Sequence, residues 1–266
     1  MKDFTFKQYT ELCITLQERH NLVSVAKFLT EKKENLAIIR HDIDKKPLNA
    51  LKIAEIEKDL GIQSTFYFRT EPEVFNIDIM KKIHSMGHEI GYHYEVLDKA
   101  NGDINKAITF FEQDLSLFPF NIQTICMHGN PLTPWVNKDM WRDFNFKKYG
   151  IIGEAYLSIN FSDLYYFSDT GRSWDGRFSV KDHSDAHDAK SEKIVSTEKL
   201  KEFIRQNNGN YYIVTHPQRW NDKLIPWITE LFCQSIKNVG KSGIKRMRKK
   251  HDFIDDTAEK RRAEYR

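Results

Sequence analysis

Two aspartates that end a short apolar run are the residues of this chain best suited to chemistry. Residues 37–44 read AIIRHDID, and Pro47 follows shortly afterwards. Residues two apart on an extended backbone point to the same face, so the carboxylates of Asp42 and Asp44 are predicted to lie side by side. Two like charges this close are unfavourable unless a cation or a shared proton relieves them, which indicates a metal site. The alternative is that one aspartate caps the helix predicted after Pro47.

Three histidines strengthen the metal hypothesis because each ends a later predicted strand: His93, His128 and His216. A single histidine at such a place is more often a surface or hydrogen-bonding residue, but these three fall on the same predicted rim as the aspartates. Carboxylate and imidazole ligands suit zinc or a similar divalent metal. A carboxylate and two imidazoles with an open position for water form a hydrolytic centre, in which a second carboxylate serves as base and a remaining histidine as acid.

The elements that must position these residues alternate between strand and helix. Alternation at this spacing implies right-handed crossovers and a parallel sheet, and polar residues at the trailing strand ends are typical of an α/β barrel whose C-terminal rim forms one site. An open doubly wound sheet is the alternative, although no glycine-rich phosphate loop follows the first central strand. The sequence patterns predict strands at 37–44, 63–70, 88–95, 124–131 and 211–216, and helices at 48–61, 78–86, 104–117 and 197–206.

The composition is that of a soluble globular chain. Of the 266 residues, 40% are hydrophobic, 13% aromatic and 30% charged, and the mean hydropathy is −0.62, which predicts a packed core of one large α/β domain or two small ones. No apolar run approaches the roughly 18 residues that a membrane helix needs, and residues 1–8 lack the apolar core of a signal peptide. The three cysteines, Cys13, Cys126 and Cys233, are far apart and suggest no disulfide framework, so we expect a cytoplasmic location.

The net charge of +3 is unevenly distributed along the chain. Residues 241–266 hold ten Lys or Arg against five Asp or Glu, so the remainder of the chain is slightly acidic. A basic segment of this kind is most often a solvated helix, and it also suits weak contact with an anionic membrane surface. We expect no nucleic-acid partner, and the sequence leaves the oligomeric state open.

Residues 42–44 (DID) and 87–93 (GHEIGYH) resemble motifs of the polysaccharide deacetylase superfamily, carbohydrate esterase family four. The resemblance extends over about residues 36–220 as an ordered series of short motifs. It implies a distorted (β/α) barrel of mostly parallel strands that removes acetyl groups from N-acetyl amino sugars with a divalent metal, for which we expect zinc. The matching positions are Asp42 for the catalytic base, Asp44 and His93 for metal ligands, and His216 for the general acid.

One position departs from that resemblance. The family usually has a second metal-binding histidine four residues after the first, and Leu97 stands at that position here. A leucine cannot bind metal, so the third ligand stays open. His128, from the neighbouring predicted strand, is the first choice, and Glu95, from the same strand end as His93, is the second.

Two further segments, 127–131 (MHGNP) and 169–176 (DTGRSWDG), resemble a divergent branch associated with surface-polysaccharide gene clusters. An Arg-Asp pair in such a loop either orients a sugar or supports the loop, and a tryptophan either stacks on a sugar ring or packs in the core. The candidate substrate-binding residues are Glu95, Asp169, Arg172, Trp174 and Asp175.

These arguments predict an N-terminal helical cap at 1–35, a deacetylase-like barrel at 36–235 and a basic C-terminal helical tail at 236–266. The predicted function is a metal-dependent hydrolase that removes an acyl group from an amide-bearing sugar or sugar conjugate in cell-surface polysaccharide, such as lipopolysaccharide, biosynthesis. The rival hypothesis is a non-catalytic carbohydrate-binding or scaffold protein on a degenerate barrel. Leu97 favours this rival, whereas the presence of every acid, base and ligand candidate argues against it.

Overall fold

Strands and helices alternate along most of the chain, as the sequence predicted. The computed structural model describes residues 2–31, 35–179 and 193–243. The strands are β1 (Asn21–Val23), β2 (Leu36–Ile43), β3 (Thr65–Phe68), β4 (Glu89–Tyr94), β5 (Thr124–Met127), β6 (Gly153–Glu154), β7 (Leu164–Ser168) and β8 (Asn210–Thr215). The helices are α1 (Phe6–Gln17), α2 (Val25–Thr30), α3 (Pro47–Asp59), α4 (Ile77–Ser85), α5 (Val96–Lys99), α6 (Ile104–Ser116), α7 (Thr197–Gln206) and α8 (224–243).

The eight strands form one parallel sheet. Its path is β6-β5-β4-β3-β2-β8-β7, and β1 also pairs with β2. Every strand pair is parallel, so the carboxyl ends of the strands meet at one edge. The sheet curls into a half-barrel surrounded by helices, and this half-barrel is open because β6 and β7, at the two ends of the path, do not pair with each other among the described strands. The predicted α/β class with a distorted (β/α) barrel is confirmed.

The segment predicted as a helical cap contributes a strand as well as helices. β1 pairs with the start of β2, and Ser24 then caps α2 by accepting a hydrogen bond from the backbone N–H of Lys27. Residues 1–35 therefore include part of the central sheet. On α1 the buried apolar positions fall on one face of the helix: Tyr9, Leu12, Cys13 and Leu16.

The helix after the first central strand begins and ends where the sequence predicted. Pro47 occupies the first helical turn, where its missing N–H has no intrahelical partner to lose. Gly61 follows the helix with a φ of +71°, a left-handed conformation that glycine adopts without strain. α3 therefore fixes the point at which the chain leaves the rim after Asp44.

The barrel interior below the rim is built around one buried arginine. Arg40 in β2 is fully buried, and its guanidinium donates hydrogen bonds to the sulfur of Cys126, at 2.7 Å, and to the hydroxyl of Tyr156. It also lies 3.4 Å from a carboxylate oxygen of Asp42 and 5.4 Å from the ring centre of Tyr212. A buried cation is tolerated only when it is paired in this way, so Arg40 and Asp42 depend on each other.

The opposite face of β2 carries a separate buried network beneath α3. The Nε2 of His41 lies 3.1 Å from Oε1 of Glu57, and the Nδ1 of His88 lies 3.6 Å from the other oxygen of that carboxylate. Because successive side chains of a strand alternate between faces, His41 points away from the rim aspartates. This network supports the packing of helices on the sheet rather than the site.

The last described helix crosses the predicted boundary between barrel and tail. α8 contains both residue 235 and residue 236, and residues 244–266 of the predicted tail lie outside the described residues. The indole N–H of Trp227 donates to the carbonyl of Asp3 at 2.6 Å, and the side chain of Asn238 donates to the carbonyl of Gly171 at 2.9 Å. These bonds fix α8 against the barrel. None of the described helices has both the length and the hydropathy required to span a membrane.

We expect the substitution Gly91→Ala to lower the free energy of unfolding by about 1–3 kcal/mol, measured by urea denaturation. A Cβ at Gly91 would collide with the ring of Tyr67 and stand 3.0 Å from the carbonyl oxygen of Thr124. The matched control is Gly240→Ala in α8, where an added Cβ meets no atom within 4 Å and the expected effect is a gain of about 0.5–1 kcal/mol. A Gly91→Ala protein as stable as wild type would contradict the packing of Tyr67 on β4.

Candidate active site

The carboxyl ends of β2, β4, β5 and β8 enclose a cavity of about 600 Å³. Parallel pairing places these strand ends at one edge of the sheet, so residues distant in sequence share its walls. All of the predicted acid, base and metal-ligand residues line it: Asp42, Asp44, His93, His128 and His216.

Asp44 lies at the centre of the three histidines. Its Oδ1 is 3.6 Å from Nε2 of His93 and 3.7 Å from Nε2 of His128, and its Oδ2 is 3.8 Å from Nε2 of His216. These separations are longer than hydrogen bonds. They are close to the spacing of about 3.4 Å that ligand atoms keep around a tetrahedral ion with bonds of about 2.0–2.1 Å. The geometry therefore suits a bound divalent cation better than direct hydrogen bonding.

The aspartates do not cap the helix that follows them. α3 has Lys46 at its N-cap position and no side-chain cap hydrogen bond, so the capping alternative is wrong. The Oδ1 atoms of Asp42 and Asp44 are buried and have no hydrogen-bond partner, which is costly unless a ligand binds there. Burial opposes the ionised form of Asp44, but the surrounding imidazoles hold the pKa of that carboxyl well below its usual value.

The neighbouring strand fixes the orientation of His93. Its Nδ1 lies 3.0 Å from the backbone carbonyl oxygen of Cys126, the residue opposite it in the β4–β5 register. Because a carbonyl oxygen only accepts, Nδ1 carries the proton, and the lone pair of Nε2 in the neutral ring faces Asp44. An imidazole anchored through its outer nitrogen in this way is typical of a metal ligand.

A carboxylate that is itself anchored by an arginine holds His128. The Nδ1 of His128 lies 3.2 Å from Oε2 of Glu95, and Arg69 donates to both oxygens of Glu95 at 2.6–2.9 Å. Burial opposes the ionised form of Glu95, but the adjacent imidazole of His128 and the charge of Arg69 lower its pKa to about 2. The carboxylate of Glu95 is therefore paired with Arg69 and His128, and Glu95 does not line the cavity. This placement favours His128 over Glu95 as the third ligand and sets Glu95 apart from its predicted contact with substrate.

Asp169, the residue that follows β7, anchors His216. Its carboxylate accepts a hydrogen bond from the backbone N–H of His216 at 2.9 Å and lies 2.6 Å from Nδ1 of the same residue. Arg219 and Trp220 donate to the same carboxylate. Burial alone would raise the pKa of Asp169, but the charge of Arg219 and the hydrogen bonds from His216 outweigh it and lower the pKa. Asp169 is fully buried behind His216, in contrast to its prediction as a sugar-binding residue.

The other predicted sugar-binding residues also lie outside the cavity lining. Trp174 is buried and donates its indole N–H to the hydroxyl of Thr197. Arg172 donates to the backbone carbonyl of Asp3, and Asp175 accepts hydrogen bonds from neighbours in its own loop. These contacts correspond to the loop-support and core-packing alternatives that the sequence left open.

Two features of the site were missed by the sequence analysis. Arg40 stands two residues before Asp42, on the same face of β2, and that spacing was a usable signal for its contact with Asp42. The second feature is α8, which lines the mouth of the cavity with Glu230, Gln234 and Lys237. No local pattern marks this second contact, because it joins segments almost two hundred residues apart.

Two groups of possible metal ligands have all their donor atoms within 4.8 Å of one another. They are Asp42, His93 and Cys126, and Glu95, Asp98 and His128. In the first group the guanidinium of Arg40 already donates to the sulfur, and a cation at that position opposes a bound metal. In the second group three side chains donate to Asp98. Asp44, His93 and His128 are not one of these two groups, although the Oδ1 of Asp44 is buried without a hydrogen-bond partner and lies 3.6–3.7 Å from the Nε2 atoms of both histidines.

No family model and no curated protein sequence matches this chain. Among solved structures, a family 4 carbohydrate esterase from Streptomyces lividans in complex with acetate aligns over 77% of this chain and 88% of its own, with 10% sequence identity and a TM-score of 0.39. A peptidoglycan deacetylase from Bacillus subtilis aligns over 85% of this chain and 99% of its own, with 13% identity and a TM-score of 0.29. At these values the likeness assigns neither a family nor an activity.

We expect Asp169→Asn to lower the free energy of unfolding by about 3–5 kcal/mol at neutral pH, because the charge of Arg219 is left buried without its counterion. The lowered pKa of Asp169 means that its contribution is present above about pH 4, the pKa of an unfolded aspartate, and is lost as the pH falls through the folded pKa. Urea denaturation from pH 7 downward should therefore show a shallower loss in the variant than in wild type.

The matched control is Asp175→Asn, which removes an ion pair with the half-exposed Arg177 and should cost less than about 1 kcal/mol. An Asp169→Asn protein that matched this control in stability and in pH dependence would show that Asp169 is not the buried anchor of His216.

Proposed function

We propose that this protein is a metal-dependent hydrolase that removes an acyl group from an amide-bearing sugar. The observation that carries the proposal is the buried Oδ1 of Asp44, which has no hydrogen-bond partner and lies between the Nε2 atoms of His93 and His128. Asp42 and His216 line the same cavity, and a base and an acid beside a metal site favour hydrolysis over simple metal storage.

Asp44, His93 and His128 would hold the metal. One carboxylate and two imidazoles are a donor set that zinc takes in hydrolytic sites, and bound zinc lowers the pKa of water and polarises a carbonyl group. A hydrogen-bond contact with a backbone carbonyl fixes His93 through Nδ1, and the Nδ1 of His128 lies 3.2 Å from the carboxylate of Glu95, so each imidazole presents Nε2 to the cavity.

Asp42 is the proposed general base. The guanidinium of Arg40 lies 3.4 Å from its Oδ2, which holds the carboxylate in place and leaves the buried Oδ1 without a hydrogen-bond partner. That oxygen is available to accept a proton from a water molecule that attacks the acyl carbon.

His216 is the proposed general acid. Its Nδ1 is bound to Asp169, and its Nε2 faces the cavity 3.8 Å from Asp44. The buried carboxylate of Asp169 holds the ring with Nε2 toward the cavity, where that nitrogen can give a proton to the departing amine. The two proton-transfer groups thus approach the cavity from β2 and β8.

A sugar amide is the proposed substrate class because the segments 42–44 and 87–93 resemble polysaccharide deacetylase motifs. A role in cell-surface polysaccharide biosynthesis and a cytoplasmic location remain predictions from the sequence. The rival is a carbohydrate-binding scaffold, which Leu97 favours. Leu97 is buried in α5 and its backbone N–H is bound by Asn137, so it belongs to the core. The enzyme is preferred because His128 lies where it can replace the missing ligand.

We expect wild-type protein to bind zinc with near-stoichiometric occupancy and His128→Ala to lose most of it, because one of three ligands is removed. Elemental analysis after dialysis measures the metal, and the matched control is His84→Ala, an exposed histidine of α4. Zinc retained by His128→Ala would move the third ligand to another residue. Wild-type protein without zinc, even after incubation with excess metal, would contradict the hydrolase.

We expect wild-type protein with zinc to release acetate from chitooligosaccharides or a nucleotide-linked N-acetylhexosamine, followed by proton NMR. Asp42→Asn should reduce the rate by about a hundredfold or more, because the general base is lost, while zinc is retained. Asp78→Asn, an exposed aspartate in α4, is the control and should match wild type. Full activity in Asp42→Asn would exclude Asp42 as the base, and sugar binding without acetate release would favour the scaffold.

A further inference from the structure

α8 is inverted relative to an ordinary surface helix, because a line of three polar residues faces the protein. Glu230 lies 3.3 Å from Nζ of Lys46, Gln234 is only 3% exposed, and Asn238 donates to a backbone carbonyl of the barrel. These residues recur every four positions, so they form one line along the helix. This polar line of α8 is therefore directed toward the barrel, whereas in an ordinary surface helix the polar side faces the solvent.

The outward face of α8 is apolar. Its residues are separated by three, four, four and three positions, which places them on one stripe opposite the inward line. All five side chains of the stripe are between 48% and 78% exposed. Single apolar residues scattered over a surface are common, but a contiguous exposed stripe marks an interaction surface. The stripe consists of Ile225, Ile228, Phe232, Ile236 and Val239.

The sequence that continues from the middle of α8 is basic. Between residues 231 and 250 it contains seven Lys or Arg and no Asp or Glu. Two of these, Lys237 and Lys241, line the cavity, and the other five follow the described residues in the sequence. An apolar stripe that is followed in sequence by basic residues is typical of helices that bind an anionic lipid surface. Pairing with a second copy of this chain fits less well, because it would bring two such uniformly positive segments together.

We propose that α8 docks this protein on an anionic membrane surface, with the stripe inserted at the level of the headgroups. The inward side of the same helix lines the cavity with Glu230 and Gln234. Docking through the outer side therefore sets the mouth of the cavity beside the lipid surface. This inference rests on α8 and the basic sequence that follows it, and it holds whichever reaction the cavity carries out.

The test is flotation of the full-length protein with vesicles of phosphatidylglycerol and, separately, with vesicles of phosphatidylcholine. Wild-type protein is expected to float with the anionic vesicles and to stay at the bottom with the zwitterionic ones. The double variant Ile228→Ser with Phe232→Ser should reduce the floating fraction about tenfold or more, because both side chains leave the lipid. The control is Leu117→Ser, which removes a half-exposed leucine near the end of α6.

Circular dichroism establishes that the variants fold, and because flotation needs neither zinc nor activity, its outcome is independent of the test of the hydrolase. Flotation of the double variant equal to wild type would overturn the proposal, because the basic residues would then suffice. Absence of wild-type flotation would also overturn it. So would a wild-type dimer in analytical ultracentrifugation that the double variant converts to a monomer, because the stripe would then be a self-association surface.

Discussion

The rim of this barrel depends on the charge of Arg40, which is buried in its interior. A guanidinium stays ionised in a protein, so its position requires a carboxylate and several polar or aromatic neighbours. Asp42 supplies the carboxylate, and Cys126 and Tyr156 accept hydrogen bonds from the guanidinium of Arg40. The same pairing that makes Arg40 tolerable orients Asp42 and leaves one of its oxygens toward the cavity. The ion pair of Arg40 and Asp42 thus both stabilises the barrel interior and orients the proposed general base.

The histidines of the rim follow a common design. Each engages its Nδ1 outside the cavity and presents its Nε2 to Asp44: His93 on a backbone carbonyl, His128 on Glu95 and His216 on Asp169. The two carboxylates are held in turn by arginines, so the orientation of the imidazoles does not depend on flexible loops. A centre assembled from strand ends with such supports is rigid before any ligand binds.

The two sides of α8 have different surroundings. Its inner side completes the mouth of the cavity, and its outer side exposes the apolar stripe. In a helix that packed only as a cover, the apolar side would face the barrel. A polar inner side suits contact with a polar cavity, and an apolar outer side suits contact with the proposed lipid surface. The mouth of the cavity and the proposed membrane contact would therefore share one helix.

Much of the fold was determined by the sequence itself. Apolar periodicity located most central strands and helices, Pro47 and Gly61 marked the ends of α3, and the position of Asp42, Asp44, His93, His128 and His216 at strand ends predicted one shared rim. These features are local or follow from the common direction of parallel strands. Only the tertiary structure decided the supporting contacts. Whether Asp169 meets a sugar or anchors His216, and which side of α8 faces the cavity, depends on packing between segments far apart in the chain, which no short-range pattern encodes.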